Sequence, residues 1–148
     1  MNLEERKPIY AIFARISLLA SDFDWAGTVT DELFIYQPFL LSMLMGYQFD
    51  LSASELEEAL VLYTAVWEHY KVNPKVKNKA VTETRFDHFH DNYMRERIEN
   101  ESGTVLLAVI LERFASRPVL RRMEIQTKAA LVTGIKSRIA CFEELIKK

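Results

Sequence analysis

The chain has 148 residues, of which 49% are hydrophobic and 27% charged. That is the composition of one ordinary globular domain and excludes a disordered segment. A single cysteine, Cys141, rules out an internal disulfide framework or a cysteine-rich zinc module and fits a reducing compartment. The net charge of −2 and pI near 6.0 argue against a strongly basic nucleic-acid domain. The charge is nonetheless uneven, with 4 Lys/Arg against 11 Asp/Glu in residues 1–74 and 15 against 10 in residues 75–148.

The first helix is expected over residues 3–20. Ile9, Ile12, Phe13, Ile16 and Leu19 recur on one face, and Pro8 falls early, where a missing N–H costs least. The start is charged in mixed sign, without the basic start and apolar run of a secretion signal. The longest apolar stretches, residues 38–47 and 105–111, fall short of the roughly 20 residues that span a bilayer. A soluble, cytoplasmic protein that enters no membrane is therefore expected.

A loop of cap-forming residues follows at 21–28, then a second helix over residues 30–47. Pro38 should kink or split it after Tyr36 or Gln37. Its second part, residues 39–45, is apolar nearly all round, as suits a segment buried on several sides or covering a partner surface. The third helix opens with a capping box, Ser52 to Glu55. Leu56, Leu60, Tyr63, Trp67 and Tyr70 are expected to line its inner face. A basic loop spans residues 71–79. The fourth helix, residues 81–99, is the most polar and carries a thin stripe of Phe86, Phe89 and Tyr93. The fifth, residues 104–116, leaves little for solvent and is expected at the centre. The sixth begins near Pro118 and is expected to run to Lys147, with a stripe of Leu131, Ile135, Ile139, Phe142 and Ile146. Gly134 lowers its helix preference by about 1 kcal/mol relative to Ala, enough to invite a kink.

The fold class that follows is all-α: a single domain, residues 1–148, built as a bundle of five to six helices, largely up-and-down. One helix is kinked near Pro38 and the C-terminal helix is long.

Three constellations could carry function. On the fourth helix Glu83, Asp87 and Asp91 stand at i, i+4 and i+8, a row of like charges that calls for something positive opposite. With His90 they offer candidate metal ligands. Only one acid-x-x-His step exists, Asp87 to His90, and carboxylate-bridged bundles need a second from another helix. His88 points elsewhere, and His69 is placed toward an outer face. A solvated acidic face, with His90 hydrogen-bonded near Asp87, is the preferred reading, and no cofactor is expected.

The second constellation is basic: Lys71, Lys75, Lys77 and Lys79 in the loop, and Arg113, Arg117, Arg121 and Arg122 around the fifth and sixth helices. Both groups could meet phosphates. No compact helix-turn-helix accompanies them, so solvated charge beside helix ends is preferred. The third is surplus apolar surface at Phe39, Met43 and Met45, with methionines suited to adaptable binding surfaces. It suggests a homodimer through the second or sixth helix.

Catalytic patterns are missing. The sequence holds no strained Gly-x-Ser-x-Gly turn, Walker loop or dinucleotide fingerprint, and Cys141 beside Phe142 reads as a buried structural thiol. The expected role is a non-catalytic helical interaction or adaptor module whose partner is another protein or itself. The alternatives are an anion- or nucleic-acid-binding module using the basic residues, and a metal-dependent enzyme using Glu83, Asp87 and His90.

Overall fold

The computed structural model describes residues 3–19, 24–47, 50–96 and 105–147. Among them the chain is all-α, with no strand. The helices are α1 (Leu3–Leu19), α2 (Trp25–Tyr36), α3 (Pro38–Gly46), α4 (Ala53–Tyr70), α5 (Lys75–Asn78), α6 (Glu83–Glu96), α7 (Val105–Ser116), α8 (Pro118–Arg121) and α9 (Ile125–Lys147). These nine segments exceed the expected five or six because two expected helices are each divided and the basic loop holds a turn of helix. No described helix is long and apolar enough to cross a membrane.

α1 buries Ile9, Phe13 and Ile16 at i, i+4 and i+7. Pro8 lies inside the helix rather than in its first turn, so it removes one intrahelical donor, and α1 nevertheless continues through it. Pro38 does more than kink the second helix. α2 ends at Tyr36, Gln37 takes φ −141° and ψ 64°, and α3 starts with Pro38 in its first turn. The residue before a proline is sterically pushed out of the helical region, which makes Gln37 the breaking point.

Gln37 is fully buried, and its side chain binds backbone groups of α5 and of the segment that leads from it to α6. Its amide nitrogen donates to the carbonyls of Val76 (2.7 Å) and Lys79 (3.3 Å), and its carbonyl oxygen accepts the N–H of Val81 at 2.7 Å. One polar side chain thus satisfies three backbone groups in the interior, which is what makes its burial tolerable.

The capping box forms as its residues require. The Ser52 hydroxyl accepts the Glu55 N–H at 3.3 Å, and the Glu55 carboxylate accepts the Ser52 N–H at 3.0 Å. α4 is the most enclosed helix, with every residue from Leu62 to Trp67 buried. Leu60, expected on the inner face, is exposed instead, and Ala59, Leu62 and Val66 take that face. α4 packs against α1, α8 and α9, so its buried arc is broad, and Leu60 falls at the side that none of them covers. α7 buries Leu106, Leu107, Val109, Ile110 and Phe114 against α1 and α8.

The expected long sixth helix is interrupted. α8 ends at Arg121, and Glu124 restarts the chain as α9. Its carboxylate accepts the N–H groups of Gln126 and Thr127, each at 3.1 Å, and the Thr127 hydroxyl at 2.9 Å. These bonds, led by that of Thr127, hold the Glu124 carboxyl below its ordinary range. Gly134 produces no break in α9. It permits close approach: a Cβ there would lie 2.9 Å from the Tyr47 hydroxyl and 3.2 Å from that of Tyr63. α9 runs along α6 and against α4 and α5, and one cluster of buried apolar residues draws members from all nine helices.

Candidate functional site

The acidic row on α6 faces solvent, with Glu83, Asp87 and Asp91 all exposed. His90 stacks on the Phe86 ring, with centroids 5.8 Å apart, rather than pairing with Asp87. His88 lies 3.4 Å from the Asn92 amide. Among the described residues no three His, Cys, Asp or Glu side chains converge as metal ligands. His69 is half-buried rather than outward, edge-on to Tyr70, and burial pulls its imidazole below the ordinary range against the opposing pull of Glu143.

The basic loop is largely turned to internal use. Lys71 pairs with Glu68 at 3.0 Å and Glu32 at 3.1 Å. Lys75 donates to the Ile146 carbonyl at 2.8 Å, satisfying the C-terminal end of α9. Lys77 lies 5.2 Å from the centroid of the Tyr36 ring, and the Lys79 carbonyl takes part in the Gln37 clip.

The arginines divide. Arg117 binds Glu58 through Nε (3.1 Å) and Nη2 (2.6 Å), which raises its pKa. The Arg113 guanidinium sits 4.4 Å from the Phe13 ring centroid, and burial lowers its pKa. Arg121 and Arg122 are exposed. Four lysines and four arginines that looked like one basic population are therefore dispersed, with most of them tied to neighbouring helices.

Of the three apolar interface candidates, Phe39 is half-buried and packs edge-on to Phe86 at 5.7 Å, and Met43 also lies against the core. Met45 is 51% exposed. The α9 stripe is interior: Leu131, Ile135, Ile139 and Phe142 are buried. What the sequence reading missed is α2, whose Phe34 and Ile35 are 69% and 67% exposed. Val29 and Leu33 already supply the inward face of α2, so Phe34 and Ile35 fall outside it. From Trp25 to Tyr47 the only charged residues are Asp31 and Glu32, and Glu32 is paired with Lys71.

Concave features also occur among the described residues. A cleft of about 400 Å³ between α1, α2 and α4 is lined by Arg15, Leu19, Thr28, Val29, Glu32, Glu68, Lys71 and Val72. Burial alone would lower the Lys71 ammonium, but hydrogen bonds and charge from Glu68 and Glu32 outweigh it and hold it above the ordinary lysine range. A smaller pocket of about 240 Å³ includes Cys141 beside the Arg85–Glu144 ion pair. Burial pushes the Cys141 thiol up to about 12, so it is not a nucleophile at neutral pH.

Among the described residues one cation is fully enclosed in the interior. Arg138 is buried, donates to the Leu40 carbonyl at 3.2 Å and lies 3.9 Å from the Tyr63 ring centroid. The Tyr63 hydroxyl donates to that of Tyr47 at 2.9 Å, and burial raises the Tyr63 pKa against the pull of Arg138. No family model matches the chain, and no curated protein or solved structure matches it either.

Proposed function

We propose that the protein is a non-catalytic helical interaction module that associates with a second copy of itself through the outer face of α2 and α3. The observation that supports this reading is the exposure of Phe34 and Ile35 on α2 and of Met45 on α3, in a segment, residues 25–47, that carries only two charged residues. On α3 the exposed positions Pro38, Ser42, Met45 and Gly46 share one face by spacing, and none is charged. Large apolar side chains left exposed close together in the chain are candidates for a contact surface. A segment with so few charges offers little to select a complementary foreign partner, whereas a two-fold contact brings the same patch against itself.

On this reading the nine segments make one bundle of six longer elements, with α2 and α3 counted as one broken helix and α5 and α8 as single-turn connectors. The lone, buried Cys141 suits a reducing, cytoplasmic compartment. Sedimentation velocity over a dilution series tests the proposal. The expected result is a reversible monomer–dimer equilibrium; a monomer throughout, up to hundreds of micromolar, overturns it.

A further inference from the structure

The cleft between α1, α2 and α4 holds an open chain of charges of alternating sign. Arg15 Nη2 lies 2.9 Å from Glu68 Oε2, Lys71 Nζ lies 3.0 Å from Glu68 Oε1, and the same Nζ lies 3.1 Å from Glu32 Oε1. Glu68 is the most enclosed member, its side chain 10% exposed and both its oxygens engaged. Capacity remains at the two ends. Arg15 is 55% exposed and gives only one guanidinium nitrogen to Glu68, and Glu32 gives one carboxylate oxygen to Lys71. One end is therefore a cation with spare donors and the other an anion with a spare acceptor.

We propose that this cleft binds a small zwitterion with an apolar side chain, of the α-amino-acid class, with its carboxylate on Arg15 and its ammonium on Glu32. Such a ligand closes the alternating chain into a ring and adds no net charge to a site that already holds two acids and two bases. A ligand of one sign satisfies one end and leaves the other as it was. Leu19, Val29 and Val72 supply the apolar wall. The volume of about 400 Å³ lies in the range of small-molecule sites. Glu68 and Lys71, already fixed by their mutual bonds, make the inner half of the site preorganised, which lowers the ordering cost of binding.

Thermal unfolding of the full chain with L-leucine as probe tests the inference, beside isocaproate and isoamylamine, which keep the side chain but carry a single charge each. A saturable rise in Tm, of about 3 °C at tenfold excess over half-saturation, is expected with L-leucine and not with either single-charge counterpart. Arg15→Gln and Glu32→Gln should each abolish the rise. No shift with L-leucine, an equal shift with isocaproate or isoamylamine, or a shift retained in folded Arg15→Gln overturns it. The comparison of the three probes on the unaltered protein stands even if a variant fails to fold.

Discussion

α9 and α2 both carry apolar side chains along their length, yet they end in opposite environments. On α9, Leu131, Ile135, Ile139 and Phe142 recur at intervals of three and four, point one way and are buried. On α2, Val29 and Leu33 occupy the equivalent inward positions, and Phe34 and Ile35 stand beside that face and remain two-thirds exposed. Apolar content is thus a poor guide to which helix offers a contact surface. The informative quantity is the apolar residue left over once the inward face has been filled.

The largest expected effect lies on the α9 side. Ile135 is fully buried, so Ile135→Ala should cost about 2–5 kcal/mol in urea unfolding. Phe34→Ala, measured at dilutions that keep the chain monomeric, should stay within about 0.5 kcal/mol of the parent. Similar costs at the two sites would erase the contrast.

An intermediate effect is expected where α2 passes into α3. Gln37→Leu fills the interior but leaves the Val81 N–H buried without its 2.7 Å acceptor. A loss of about 1–3 kcal/mol follows from that orphaned donor, together with early amide exchange at Val81. An unchanged unfolding midpoint would show that the clip is dispensable.

The smallest effect is a pH dependence on α4. The His69 imidazole is pulled below its unfolded value of 6.5 by burial, so on acidification the unfolded chain takes up the proton first. Its stability contribution is complete above pH 6.5, declines as pH falls below that value, and levels off below the folded pKa. His69→Gln should flatten this part of the Tm profile. A profile that keeps the same slope would assign the dependence to another group.

Much of the fold was legible because it rests on short-range rules. The α1 stripe, the Ser52–Glu55 capping box and the α9 stripe follow from spacing within one helix. What was not legible depends on partners far apart in the chain. Gln37 meets residues 39 to 44 positions away, and Arg15 meets Glu68 across 53. Glu68, three residues before Lys71, was a readable partner, but nothing local shows the second acid, Glu32, 39 positions away. The α8–α9 break had a readable sign in Glu124 followed three residues later by Thr127, the arrangement that caps α9. Phe34 and Ile35 were also readable in principle, since Leu33, Phe34 and Ile35 are three consecutive large apolar residues and one inward helix face cannot take them all.

Self-association through α2 is tested by sedimentation velocity on Phe34→Glu/Ile35→Glu, run beside the parent with circular dichroism on the same samples. The double variant is expected to be a monomer whose helical signal and Tm match those of the parent at concentrations where the parent dimerises. A double variant that still dimerises, or one that unfolds, would contradict it, placing the contact elsewhere in the first case and these side chains in the core in the second.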